Sequence, residues 1–184
     1  MFYELEMQDY VRLPPSNFRD DLKKAIKERL NQRYESYIDK DHGIVIAVKE
    51  IVDIGEGIIV PGDGAAYYDV KFKLISFKPE IQEVVHGMVT DITEFGVFLN
   101  IGAIDGMIHI SQTMDDFVSF SKMGVLTGKE SKRVLKSKDK CKARIVAVSY
   151  KDINNPKIGL TMRQSGLGNL KWIEEDNEKN KEEK

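Results

Sequence analysis

Little in this chain of 184 residues offers covalent or metal chemistry. It has one cysteine, Cys141, which excludes an internal disulfide and fits a reducing compartment. Lys140 and Lys142 flank that thiol, but the site reads as a buried strand edge rather than a nucleophile. The three histidines, His42, His86 and His109, are far apart in sequence, and no Ser/His/Asp, Cys/His or metal-spaced set accompanies them. The adjacent Asp115 and Asp116 would point apart on any regular element, so they do not make a metal site. No enzyme chemistry, metal or cofactor is therefore expected of the chain by itself. No apolar run approaches membrane-spanning length and no basic-then-apolar leader opens the chain, so a cytoplasmic location is expected, with no membrane partner. What is present, 32% charged and 41% hydrophobic residues, is ordinary for a globular protein of one or two modest cores.

The net charge of −2 hides an asymmetry. Residues 1–80 carry 12 basic and 15 acidic side chains, and residues 81–169 carry 12 and 9. Eight of those basic residues and only two acidic ones fall in Lys129 to Arg144. Such a run is commonly a solvated face, but beside an aromatic surface it reads as a phosphate-attracting rim, with Lys142 and Arg144 among its members.

The aromatic surface lies in Val85 to Gln112, VHGMVTDITEFGVFLNIGAIDGMIHISQ, which reads as three short strands. With Phe95 to Ile101 extended, Val97, Leu99 and Ile101 face one way and Phe98 and Asn100 the other, and Phe95 is placed with Phe98 across the bend at Gly96. Alternation in the next strand buries Ile108 and Ile110 and leaves His109 outside. Two phenylalanines and a histidine on an open strand face call for something flat to stack on, and a nucleobase is the natural candidate. The alternative is that Phe95 and Phe98 cap one end of a barrel core. Gly96, inside an apolar strand, marks a bend or a close approach of backbone, as small closed barrels require.

The first eighty residues form a different unit. Phe2 to Leu13 reads as a strand, ended by Pro14 and Pro15. A helix is expected from there, with Ser16 in its first turn and Phe18, Leu22, Ala25, Ile26, Leu30 and Tyr34 as its apolar stripe. Gly43 to Ile54 reads as a long strand, Gly55 onward as a turn and short strand, and Tyr67 to Phe77 as a closing strand. One helix on a curved antiparallel sheet, an α+β amino-terminal domain, follows. Gly62, Asp63 and Gly64 lack a following helix to supply aligned amides, so the loop is a hairpin tip and not a phosphate cradle; it suits insertion against another protein. The expected division is residues 1–80, then 81–165 as an all-β five-stranded OB barrel, then a short helix over Leu167–Glu175 and a charged tail, frayed from Asp176.

Residues HGMVTDITEFGVFLNIG–AIDGMIHISQ, followed by KCKARIVAVSYKD and KIGLTMR, resemble the S1-type OB domain over roughly Ile81 to Gln164. That resemblance implies single-stranded RNA binding by Phe95, Phe98, His109 and Lys157. Ser149 departs from the pattern, standing where many members place an Asp at the end of the fourth strand. Over nearly its full length the chain is similar to the E-prime family of archaeal RNA polymerase stalk proteins, the counterpart of the seventh subunit of eukaryotic RNA polymerase II. The opening strand ending in LPP, the stretch GEGIIVPGDGAAYYDVKF, the run GMIHISQTMDDFVSF and the segment TMRQSGLGNLKWIEE carry this likeness.

The resemblance implies a non-catalytic stalk protein that forms a heterodimer with the polymerase's F subunit and meets the nascent transcript. Its amino-terminal tip, Pro14–Phe18 with Gly55–Ala66, would dock on the polymerase core near the clamp, through Pro14, Pro15, Gly62, Asp63 and Gly64. The F subunit would run along both domains near Ile81 to Val85, and Trp172 would dock on the barrel or on that partner. Stacking one base on an aromatic contributes about 1–3 kcal/mol, so two contacts give a dissociation constant no better than tens of micromolar. A transcript tethered to the same enzyme is presented at about millimolar effective concentration, which suits so weak a contact. Two other readings stay open: a purely structural assembly role, and an S1-domain cap of an RNA-degrading exosome. Caps usually add a GXXG-bearing domain or a zinc ribbon, and the chain has neither motif. The alpha chain of a translation initiation factor places its S1 domain first, the reverse of the order here.

Overall fold

A computed structural model describes residues 1–18, 21–121, 124–152 and 156–182. The chain divides into two compact units, Met1–Lys78 and Pro79–Lys184.

In the first unit, β1 (Phe2–Leu13) is followed by a 3-10 turn (Pro15–Asn17), α1 (Leu22–Tyr34), β2 (Ile38–Asp39), β3 (Gly43–Ile59) and β4 (Ala66–Phe77). They form an antiparallel sheet in the order β1-β4-β3-β2. β1 pairs with β4 residue for residue from Phe2↔Phe77 to Leu13↔Ala66. β3 spends 17 residues against the 12 of β4 and absorbs the excess in four register shifts. Bulges of this kind add twist, and they curve the sheet around α1. Ile26 and Leu30 of the helix pack on Val48, Ile51, Val70, Phe72 and Leu74.

The helix begins later than its sequence suggests. The carboxylate of Asp21 caps it by accepting the N–H groups of Lys23 and Lys24. Pro15 and Ser16 belong instead to the separate 3-10 turn, so Phe18 and Leu22 are exposed rather than part of the core stripe. The expected turn at Gly55 is also absent: β3 runs on through it to Ile59.

In the second unit, β5 (Val84–Ile92), β6 (Gly96–Asn100), β7 (Asp105–His109), β11 (Lys140–Ser149) and β12 (Lys157–Thr161) make the barrel. β12 lies parallel to β7 and antiparallel to β11, which closes it. Val89, Val97, Leu99, Ile108, Cys141, Ala143, Ile145 and Leu160 fill the interior. Burial pushes the Cys141 thiol up to about 12, so it is an inert core residue. Ile110, expected in the core, is only half-buried because the chain leaves β7 there for a 3-10 turn (Ile110–Gln112).

A small antiparallel sheet, β8 (Val118–Ser121), β9 (Val125–Gly128) and β10 (Val134–Lys136), sits between β7 and β11 in the chain. After β12, the two-residue β13 (Gly168–Asn169) pairs with Cys141 and Lys142, and α2 (Leu170–Glu182) follows. The helix therefore starts and ends later than Leu167–Glu175 and includes Asp176, where a frayed tail was expected. Trp172 is buried against its own unit beneath the Arg133 guanidinium, and Arg133 also pairs with Asp176. These contacts hold a segment otherwise short of apolar residues.

Candidate nucleic-acid interface and docking tip

Paired residues of adjacent antiparallel strands share a face. The register Phe98↔Met107 and Gly96↔His109 therefore sets Phe98 beside Met107, with His109 next along β7. Phe95 is not within a strand: it occupies the bend before β6, 65% exposed, and its carbonyl accepts the Ile110 N–H at 3.0 Å. Gly96 makes this junction possible, because a Cβ there would lie 2.1 Å from the Ile108 carbonyl oxygen. Phe98 and His109 thus share one outer face, with Phe95 exposed at the bend beside it, while Val97, Leu99 and Ile108 face the core with no exposed area. Phe98 is half-buried by its strand neighbours and so is held in place rather than free.

The His109 ring is fixed by Ser111, whose N–H is donated to Nδ1 at 3.3 Å with its hydroxyl 2.8 Å from the same atom. In the neutral ring the proton then sits on Nε2, leaving an N–H donor. Met107 completes the surface, and sequence reasoning missed it although it alternates with Ile108 just as His109 does.

Lys157 opens β12 opposite Ser149, and the pairing Ile158↔Gly106 sets it level with Asp105, at the other end of this face from His109. Lys142 and Arg144 are not brought to it. Lys142 lies between His86 and Gly168, and Arg144 between Val84 and Thr161. Phe98 is opposite Asp91 on β5, and from Asp91 to His86 is about 16 Å of strand. The Arg144 Nε is buried without a hydrogen-bond partner. Nor does the basic run form one rim, since it winds through the β9–β10 loop, β10 and β11.

In the first unit, the pairings Leu13↔Ala66 and Ile59↔Ala66 bring the Pro14–Pro15 segment and the β3–β4 loop to one end of the sheet. Pro14 is half-buried and Pro15 exposed. Gly62 and Gly64 take φ values of 94° and 67°, which only glycine adopts without strain, and both project into open space. Asp63 between them serves the loop itself. Arg12 donates from Nε to Asp63 at 2.8 Å and again from its second nitrogen, and the Tyr67 hydroxyl donates at 2.7 Å. Those donors hold the Asp63 carboxyl well below the usual carboxylate range, and the hydrogen bond to that carboxylate pushes the Tyr67 hydroxyl up. The exposed apolar surface beside the tip is Ile58, Ile59 and Val60, which sequence reasoning did not single out.

Among the described residues no group of three or more His, Cys, Asp or Glu side chains is placed to hold a metal ion. Asp115 pairs with Arg163, while Asp116 accepts backbone N–H groups of Glu130 and Ser131. No helix of the described residues is long and apolar enough to cross a membrane.

Residues 8–64 match the family described as the SHS2 domain found in the N terminus of Rpb7p/Rpc25p/MJ0397, and residues 78–154 match the S1 RNA binding domain. The chain is 39% identical over 175 residues to DNA-directed RNA polymerase subunit Rpo7 of Saccharolobus solfataricus, covering 94% of this chain and 97% of that one. It is 36% identical over 177 residues to Rpo7 of Sulfolobus acidocaldarius, covering 96% and 97%. DNA-directed RNA polymerase III subunit RPC8 of Saccharomyces cerevisiae is 33% identical over 114 residues, 62% of this chain and 54% of that one.

Proposed function

Because the chain belongs to the Rpo7 family of DNA-directed RNA polymerase subunits, a non-catalytic part of that enzyme, we propose that it joins the polymerase to its emerging transcript. In this reading it pairs with the polymerase's F subunit, seats on the core near the clamp by its hairpin tip, and holds nascent single-stranded RNA on the outer face of β6 and β7. The observation that carries the RNA contact is Phe98, Met107 and His109 on one face outside the barrel core, with Phe95 exposed at the bend beside them. Bases stack on the phenyl rings, the His109 N–H donates to an acceptor on a base or phosphate, and Lys157 draws the backbone along the Asp105 end. Lys142 and Arg144 act at a distance from that face, as cations that raise the local concentration of RNA. Recognition of this kind is tolerant of sequence and sensitive to salt.

At the tip, Ile58, Ile59 and Val60 provide the apolar contact, Gly62 and Gly64 shape the turn, Asp63 braces it through Arg12, and Pro14 and Pro15 stiffen the adjoining segment. The test is co-expression with the F subunit, followed by fluorescence anisotropy of labelled RNA with the pair at low and high salt. Binding that weakens with salt and with Phe98→Ala plus His109→Ala is the expected result. A firm pair whose RNA binding ignores both substitutions would overturn the stacking face and leave an assembly role.

A further inference from the structure

Phe117 is 74% exposed and serves neither the barrel core nor the β6–β7 face. It stands in the connector between the 3-10 turn and β8, where it forms one wall of a cleft of about 430 Å³. That volume is within the range of small-ligand sites, about 300–1,000 Å³. Ile110 and Ser111 line the same cleft. They follow His109 directly, and Ile110 is bonded to the Phe95 carbonyl, so the cleft opens where the stacking face ends.

Three carboxylates border it, and two are already engaged. Asp115 accepts from Arg163 at 2.9 and 2.7 Å. Asp116 accepts the Ser131 N–H at 2.9 Å, the Glu130 N–H at 3.1 Å and the Ser131 hydroxyl at 2.8 Å, and the Ser131 N–H above all holds its carboxyl below the usual range. The Glu130 carboxylate has no partner among the described residues. A further backbone bond, from the Lys129 N–H to the Phe117 carbonyl at 2.9 Å, seats this loop beside the ring and brings an exposed lysine with it.

We propose that this cleft is a second nucleobase station, in which a base of single-stranded RNA stacks on Phe117 and donates its exocyclic amine to Glu130. Adenine, cytosine and guanine carry such an amine and uracil does not, so the station takes the first three in preference to uracil. Here Phe117 stands with Ile110 and Val118 beside carboxylate acceptors, an apolar wall with a polar edge that continues from the stacking face and fits a base. Lys129, exposed on the loop bonded to Phe117, is the cation available to that nucleotide's phosphate.

The inference rests on the reading of the barrel unit as RNA-binding, and the variants separate the two. The full chain is titrated against fluorescein-labelled oligo(A) and oligo(U), as wild type, Phe117→Ala, Glu130→Gln and Phe98→Ala plus His109→Ala. Wild type is expected to favour oligo(A). Phe117→Ala should weaken oligo(A) at least about five-fold, and Glu130→Gln, which keeps an acceptor but loses its charge, should reduce the preference while leaving oligo(U) binding unchanged. A Phe117→Ala protein with wild-type affinity, alongside a weakened Phe98/His109 variant, would overturn the cleft and keep the stacking face. No RNA binding, or none altered by any variant, would overturn both. Intact RNA affinity together with poorer co-purification of Phe117→Ala with polymerase would make the cleft a protein-docking site and likewise overturn the proposal. An unchanged Trp172 fluorescence melt verifies that the variants are folded.

Discussion

The two candidate contact surfaces, one in each unit, differ in the kind of apolar side chain they expose. The amino-terminal unit leaves Ile58, Ile59 and Val60 bare beside a hairpin tip, while the barrel unit leaves Phe95 and Phe117 bare beside β6 and β8. Branched aliphatic side chains have no π-face and no polar edge, so they gain only by being sealed from water against another apolar surface. Phenyl rings and an imidazole gain from a flat partner in a wet groove, where charged neighbours do no harm. In the function proposed above, one chain therefore carries two recognition chemistries, an aliphatic tip for protein and an aromatic face for RNA.

The comparison is broken most severely through the cores. Phe72 and Leu99 have no exposed area. Phe72→Ala should cost the amino-terminal unit about 3–5 kcal/mol, read by far-UV circular dichroism in urea, and Leu99→Ala should cost the barrel about 2–5 kcal/mol. Trp172 is the only tryptophan and belongs to the barrel unit, so its fluorescence transition reports the second variant. A shift below about 1 kcal/mol for either would mean the site collapses around the lost side chain and the core assignment is wrong.

The next test exchanges the losses. Ile58→Ser plus Ile59→Ser should lower incorporation into polymerase by about 2 kcal/mol or more, the scale of an interface hot spot, and leave RNA anisotropy unchanged. Phe98→Ala should do the reverse, by about 1–3 kcal/mol. Both variants failing in both assays would erase the distinction between the units.

Legibility followed how local the cause was. β1 and β4 are readable because one face of each is buried and alternation shows it in the sequence. The extension of β3 through Gly55 and Gly57 is not, since glycines there read as a turn. A Cβ on Gly57 would lie 2.7 Å from the Tyr68 ring, so the glycine makes room for a cross-strand aromatic that only the register reveals. The sequence places the start of α1 too early because Ser16 and Asp21 are both competent caps and proline favours the first. Phe98 and His109 were found by alternation within single strands. The separation of Lys142 and Arg144 from them was out of reach, because it depends on how β11 registers against β5 when the barrel closes. The small sheet β8–β10 is not legible for another reason: its strands are three or four residues long and lie among serines and lysines.

Gly96→Ala sharpens the comparison from the backbone side. The added methyl meets the Ile108 carbonyl oxygen, which cannot move without parting β6 from β7. Overpacking of this kind costs about 1–3 kcal/mol. The strand shift should also separate Phe95 from His109 and reduce RNA affinity, while incorporation through the amino-terminal tip is unaffected. Full RNA affinity in a destabilised Gly96→Ala protein would show that the spacing of the two rings is unimportant.

The smallest effect is expected at Asp63, whose carboxylate is exposed to solvent and whose ion pair with Arg12 is correspondingly weak. Its folded-state pKa lies below its unfolded one, so the clasp contributes fully above the ordinary Asp range, near pH 4, and is lost progressively as the pH falls below it. Amide exchange at Gly62 and Gly64 should accelerate relative to the barrel as the solution is acidified through that window. Asp63→Asn should remove this acid sensitivity, with the tip already loosened at neutral pH. Identical pH profiles for the two proteins would mean that the tip is held by the β3–β4 ladder alone, and that the docking surface needs no charged brace.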